Sequence, residues 1–351
     1  MGIIIHSSNG WDPLKEVIVG DATGARIPSF ESSMKNFMYA NLSDDKIKSL
    51  VGSYDKQVID ETNEDLELFC KVLISLDIKV YRPDKTNHKR RVMSSEWIAQ
   101  GWYNYCPRDI FLVLDDCLIE TPNVMRSRYF EAHAYRRILN QCSGKWFSAP
   151  RPQLLDESFN FEDLSKPTLM NKEILFDAPN VVRMGKDLLY QVSNSGNEKG
   201  GQWLQSMFPE YNVHLAYQYS GAHFDSTVVP LRPGLVLLNG HRCSKDNYPE
   251  IFKKWDKIFF TDIVDQGIRS ASGSSNASIA IASPAIGLNI LSINEKLVIV
   301  EESQKPLIKE LKKYNIDSIP MRLRHAKTLG GGFHCVTLDL HREGENEQYD
   351  F

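Results

Sequence analysis

From end to end, this chain repeats one pattern: a short apolar run rich in β-branched residues, then a stretch of helical periodicity, then another apolar run. The runs are Val17 to Val19, Ile78 to Tyr81, Ile110 to Leu114, Val228 to Leu238, Ile258 to Ile263, Leu297 to Val300 and Val336 to Leu340, with the length and composition of strands. The clearest helical pattern is Asp60 to Leu76, where Phe69, Val72, Leu73 and Leu76 fall at i, i+3, i+4 and i+7 behind an acidic first turn. Helices are also predicted at Phe130 to Gln141, Gly200 to Met207, Tyr248 to Trp255 and Lys305 to Tyr314, the last with Pro306 in its first turn. Strands alternating with helices imply an α/β fold.

At about 150 residues per domain, 351 residues suit two domains or one large one. The loop-like stretches Asp84 to Arg91, Ser193 to Gly201 and Arg269 to Ser278 are too short and scattered to serve as a linker. The chain, 1–351, therefore reads as a single domain. It holds 41 Lys and Arg against 45 Asp and Glu, a net charge of −4, so it has no positive field to draw in nucleic acid or anionic lipid. Met1 to Asn9 lack a basic stretch leading into an apolar core, and no window of about 20 apolar residues occurs. A cytoplasmic location is expected. The six cysteines (Cys70, Cys106, Cys117, Cys142, Cys243, Cys335) form no C-x-x-C pair. Scattered cysteines in a reducing compartment are normally buried thiols, so any reactive one must be recognised by its neighbours.

Three segments have such neighbours. In Leu329-Gly330-Gly331-Gly332-Phe333-His334-Cys335, three glycines let a loop wrap closely round a ligand and leave the Cys335 thiol at the mouth of a strand. Taken alone the segment also reads as a turn before a buried cysteine; a phosphate cradle is disfavoured because no helix follows. In His223-Phe224-Asp225, strand alternation would turn His223 and Asp225 into one cavity and Phe224 into the core. A structural histidine or a metal half-site are the other readings, the latter lacking further ligands nearby. Asp109 and Asp177 sit in apolar frames, where a carboxylate needs a donor partner, a substrate among the candidates, unless it is simply a cap or turn residue. Arg242, just beyond an apolar run, reads as an ion-pairing arginine or an anion clamp.

Together these segments resemble the arginine:glycine amidinotransferase family. The likeness runs through Gly10 to Gly20, Cys106-Pro107-Arg108-Asp109-Ile110, Glu120 to Arg136, Phe176-Asp177-Ala178, His223-Phe224-Asp225 and Leu329 to Cys335, in the same order and over nearly the whole chain. The resemblance implies the pentein fold, a five-bladed α/β propeller, and an enzyme without a cofactor or metal that works as a homodimer. It implies that Cys335 attacks the guanidinium carbon of L-arginine and that His223, oriented by Asp177, protonates the departing L-ornithine. Asp109 and Asp225 would hold the guanidinium, and Arg242 and Ser283 the amino-acid end; Ala282 stands where the family has a second serine.

In glycine-using members the turn before the histidine carries an Asn and a Met; here Ser220 and Ala222 stand in their places. A wider, less polar pocket is expected, suited to a larger primary amine, such as an intermediate of a guanidine-bearing secondary metabolite or toxin. No Lys and Arg cluster surrounds this turn, which favours an unphosphorylated amine. The same resemblance leaves open glycine as acceptor, and water, as in the related arginine deiminases. A pentein that only binds, as the ribosome anti-association factors do, would not need this cysteine, histidine and three aspartates.

Overall fold

Among the residues that the computed structural model describes, 2–38, 42–269 and 280–351, five sheets of three strands share one plan. The strands are β1 (Leu14–Val19), β2 (Lys79–Tyr81), β3 (Phe111–Leu114), β4 (Cys117–Glu120), β5 (Lys145–Ser148), β6 (Val181–Met184), β7 (Asp187–Val192) and β8 (Asn212–Tyr217), followed by β9 (Val228–Arg232), β10 (Leu235–Asn239), β11 (Asp256–Phe260), β12 (Leu291–Asn294), β13 (Leu297–Glu301), β14 (Asp317–Met321) and β15 (Thr337–Arg342). In sheets β3-β4-β5, β6-β7-β8, β9-β10-β11 and β12-β13-β14, an antiparallel hairpin is followed by a crossover to a strand parallel to the middle one. The remaining sheet, β15-β1-β2, has the same plan but takes its first strand from the far end of the chain, with Val17 opposite Asp339 and Ile18 opposite Leu338. Helices α1 (Lys56–Ser75), α2 (Glu198–Met207) and α3 (Lys305–Lys313) carry three of the crossovers.

Strand alternation explains why the runs read as continuously apolar. In β1, Ile18 packs with Leu338, Phe111 and Val113, whereas Val17 and Val19 face the other way onto Leu291, Ile293 and Ile299. In β10, Val236 and Leu238 meet Val182 and Met184, while Leu235 and Leu237 meet Val298 and Val300. The fifth cluster joins Leu112 and Leu114 to Val181 and Leu188. Each sheet is thus covered on both faces by its neighbours, and the succession of packed sheets returns to its start.

Several expectations need correction. The run Val228 to Leu238 is not one strand but the hairpin β9-β10, turned at Gly234 with φ +79°. Phe130 to Gln141 is a 3-10 segment, Glu131–Tyr135, followed by one α-turn, Arg136–Leu139. Tyr248 to Trp255 yields only the 3-10 turn Glu250–Phe252, beyond which Lys257 Nζ donates to the carbonyls of Phe252, Lys253 and Trp255. The stretch Ser193 to Gly201 turns into α2 from Glu198 on, capped by the Asn197 side chain. Of Arg269 to Ser278, all but Arg269 lies outside the described residues.

One buried carboxylate ties four of the sheets together. Asp339 of β15 pairs with Arg108, with Arg183 of β6 at 2.6 Å and with Arg342 of β15 at 2.8 Å. Arg183 also donates to the Val113 carbonyl of β3, and Arg342 to that of Ser292 in β12. Burial alone would raise the Asp339 pKa, but the three guanidinium groups hold it well below the usual carboxylate range. Replacing Asp339 by Asn leaves buried arginine charges uncompensated and should cost about 3–5 kcal/mol in urea unfolding at pH 7. Because a depressed carboxylate pKa stabilises above the unfolded value and loses that contribution only as pH falls through the folded one, the gap between D339N and wild type should narrow only in strong acid.

Candidate active site

The glycine loop begins where a short helix, Ala326–Leu329, ends on Gly330 in the left-handed region at φ +79°. A Cβ on Gly331 would lie 2.5 Å from Cys106 Sγ and 3.0 Å from the Tyr105 ring, so only glycine lets the loop lie this close to the 103–106 segment. The loop then turns, with Val336 N–H donating to the Gly332 carbonyl and Cys335 N–H to Asn289 Oδ1 at 2.9 Å. Cys335 is fixed two residues before β15 begins. Its thiol lies 3.3 Å from Asp225 Oδ2, which also accepts from His334 Nδ1 at 2.7 Å.

The His223-Phe224-Asp225 segment is a turn, not the strand expected from alternation. Phe224 N–H donates to the Pro179 carbonyl, and the Phe224 carbonyl accepts from Thr227 and Val228. The outcome matches all the same, since Phe224 is fully buried among Val182, Val228 and Trp255 while His223 and Asp225 face one cleft. His223 Nε2 lies 3.0 Å from Asp177 Oδ2, and Asp177 Oδ1 is held by the Val124 N–H at 3.2 Å. On its other side His223 Nδ1 is 3.7 Å from Asp109 Oδ1, a buried oxygen without a hydrogen bond. The second Asp109 oxygen is paired with Arg128, which Glu131 grips at 2.6 and 2.8 Å and the Cys106 carbonyl at 2.9 Å.

The cleft, about 210 Å³, is lined on its polar side by Cys335, His223, Asp225, Arg242 and Ser283 and on its apolar side by Phe37, Ala222, Ile281 and Ile286. Arg242 is anchored by donating to Thr227 Oγ1 at 2.7 Å and Ser283 Oγ at 3.2 Å. Ser220 is on the wall too, but its hydroxyl donates to the His223 carbonyl at 2.5 Å and accepts from Gln191 Nε2 at 2.9 Å, bracing the histidine turn. Asp177 and Asp109 are buried and flank His223 without lining the cleft. Among the described residues, no three His, Cys, Asp or Glu side chains are placed to hold a metal ion.

Sequence reasoning passed over several members of this cluster. Phe37, whose ring is 5.1 Å from that of His223, carries no motif. Asn289 and Cys106 meet Cys335 from positions distant in sequence. His334 stood inside the recognised loop, and its adjacency to Cys335 was the one available signal.

Burial works against a charged His223, yet Asp109, Asp177 and the Cys335 sulfur outweigh it and hold the imidazole pKa well above its ordinary value. The Cys106 thiol, burial and Asp225 push the Cys335 thiol up, with His223 pulling the other way. Asp225, although buried, is held well down by its bond to His334 and the charge of His223. An imidazolium beside a thiol, flanked by carboxylates, is a pre-set proton donor next to a nucleophile.

No family model matches the chain. Over 99% of both chains, however, it is 40% identical to the inosamine-phosphate amidinotransferase of Streptomyces griseus, and the two structures superpose with a TM-score of 0.93. The chain belongs to the amidinotransferase family. SxtG, an amidinotransferase of the saxitoxin biosynthetic pathway of Microseira wollei, is 32% identical over 99% of both chains with a TM-score of 0.88. The L-arginine:L-lysine amidinotransferase of Pseudomonas savastanoi pv. phaseolicola is 33% identical, covering 98% of this chain and 96% of its own. The mixed α/β fold is that of the pentein superfamily. Amidinotransferases use arginine as amidino donor, and the chain is such a transferase.

The charge on His223 gives this amidinotransferase a direct electrostatic test. Asp109→Asn removes the strongest of the influences that raise its pKa, so the His223 ring should lose its proton at lower pH in the variant than in wild type. An NMR titration of the labelled imidazole measures this, and an unchanged or higher midpoint contradicts the arrangement.

Proposed function

We propose that this amidinotransferase moves the amidino group of L-arginine, through an S-amidino-cysteine on Cys335, to a primary amine larger than glycine. The observation that carries this reading is the meeting of Cys335, His223 and Asp225 with Arg242 and Ser283 in one cleft. A guanidinium is a poor electrophile with a basic leaving group, so it must be held in plane and its departing nitrogen protonated. Asp225 on the wall and Asp109, which keeps an unbonded oxygen beside His223, are the two carboxylates proposed to accept from its N–H groups. Arg242, steadied by Thr227 and Ser283, meets the α-carboxylate.

A bound guanidinium offsets the Asp225 charge that raises the Cys335 pKa, and the thiol releases its proton to solvent. The thiolate attacks the guanidinium carbon, the bond to ornithine Nδ breaks, and His223 gives that nitrogen its proton. Asp177 keeps the imidazole in line. The acceptor amine then enters where ornithine lay, loses a proton to His223, and takes the amidino carbon as the C–S bond breaks.

The acceptor reading rests on Ala222, which lines the cleft with no side chain larger than a methyl, together with Phe37, Ile281 and Ile286. Arg242 is the one Lys or Arg among the described lining residues, which favours an unphosphorylated amine with an apolar body, as in a secondary metabolite or toxin precursor. The chain is proposed to be one domain, 1–351, a five-bladed propeller in view of its five like sheets, and to work in the cytoplasm as a homodimer, as is usual for the family.

Two measurements test the reading. Acid-quenched protein incubated with arginine should carry an amidino adduct on Cys335 by intact-protein mass spectrometry, and Cys335→Ala should release no ornithine; turnover by the variant contradicts the mechanism, and citrulline with ammonia would mean water is the acceptor. In competition between glycine and a panel of long-chain and cyclic amines, the larger amines should show the higher kcat/KM. A preference for glycine of more than roughly tenfold, about 1.4 kcal/mol in transition-state binding, contradicts the wide pocket.

A further inference from the structure

Cys106 is a second thiol at the nucleophile that the transfer reaction does not use. It sits in the Tyr105-Cys106-Pro107 segment, fully buried, and its sulfur is within hydrogen-bonding reach of the Cys335 side chain. One point, the place of a Cβ on Gly331, is 2.5 Å from Cys106 Sγ and 3.1 Å from Cys335 Cβ, so the missing side chain of that glycine lets the two cysteines approach each other there. A Tyr103 hydroxyl directed at Cys106 Sγ at 3.7 Å fixes the second sulfur from behind. The two cysteines differ in access. Cys335 lines the cleft and meets whatever enters it, whereas Cys106 is fully buried and is not among the lining residues.

We infer that Cys106 and Cys335 form an oxidation site, in which a hydroperoxide entering the cleft oxidises Cys335 and Cys106 resolves the product to a disulfide. The Cys335 thiol attacks the distal oxygen of the peroxide, an S–O bond forms as the O–O bond breaks, and the thiol proton passes to the departing oxygen, which leaves as water or an alcohol. Cys106 sulfur then attacks the sulfenic sulfur, an S–S bond forms, the S–O bond breaks, and water leaves with the Cys106 proton. Peroxide is the two-electron oxidant, and both thiols are reduced again by a dithiol. The pair blocks the nucleophile reversibly and keeps it from further oxidation, since a sulfenic acid with a thiol beside it condenses before it reaches the irreversible sulfinic stage.

The experiment treats the full-length protein with limiting hydrogen peroxide, blocks free thiols, and maps peptides without reduction. The expected result is one peptide pair cross-linked between Cys106 and Cys335, with Cys70, Cys117, Cys142 and Cys243 recovered as blocked thiols, and with activity lost and then restored by dithiothreitol. In Cys106→Ser the same dose should carry Cys335 on to sulfinic acid, and the share of activity that dithiothreitol restores should fall several-fold. Wild-type Cys335 found only as sulfinic or sulfonic acid, or any other disulfide in its place, overturns the inference, as does equal recovery by the variant. The wild-type peptide map decides the matter alone if the variant does not fold, and it reads the cross-link whatever the amidino donor or acceptor proves to be.

Discussion

Asp339 and the three arginines around it are the contact on which the rest depends. A lone carboxylate cannot neutralise three buried guanidinium groups, so the surplus positive charge is met by main-chain oxygens: the carbonyls of Ser7 and Val113 for Arg183, of Asp12 and Ser292 for Arg342 and of His334 for Arg108. Those carbonyls belong to different sheets and loops. Each sheet can satisfy its arginine only if the neighbouring sheets are in place, which gives the packed sheets a polar reason to adopt one arrangement in addition to their shared apolar clusters. The cluster also reaches the site, since Arg108 precedes Asp109 in the chain and donates to the carbonyl of His334, the residue before Cys335.

Around the cleft, the carboxylates are unequally committed. Asp109 gives one oxygen to Arg128 and keeps the other free, Asp177 shares itself between the Val124 N–H and His223, and Asp225 collects His334 and the Cys335 thiol on one oxygen. Fixed on short loops between buried strands, these groups cannot relax towards one another, and their unspent acceptor capacity is what a cation can use. The histidine charged and the thiol held neutral are two sides of one electrostatic field. Negative charge from Asp109 and Asp177 favours the imidazolium, and negative charge from Asp225 opposes the thiolate, so the nucleophile's state depends on what occupies the cleft.

Much of the fold was legible because the middle strand of each sheet is covered on both faces. Runs such as Leu235 to Leu238 therefore read as continuous apolar segments, and α1 and α3 declare themselves by amphipathic spacing. The outer strands β2, β3, β11 and β15 were legible in the same way, whereas the middle strands β4 and β7 and the other outer strands apart from β9 were not read. Lys145–Ser148 and Asn212–Tyr217 are part exposed and mixed in character, with nothing local to separate them from loops. The predicted helix at Tyr248 to Trp255 shrank to the 3-10 turn Glu250–Phe252, and the His223 segment is a turn because Phe224 reaches the core without a strand to carry it.

What the sequence by itself determined is the cast: a cysteine after three glycines, a histidine two residues before an aspartate, further aspartates in apolar frames, and a chain-long order of motifs that marks the family. These are local choices of residue type, and local order survives in a string of letters. Only the tertiary structure decided which oxygen of Asp109 is left without a hydrogen bond, that Ser220 braces the histidine turn, that Phe37 and Asn289 belong to the site, and that Cys106 lies beside Cys335. Those facts depend on contacts between residues tens to hundreds of positions apart, and such contacts exist only once the sheets have packed.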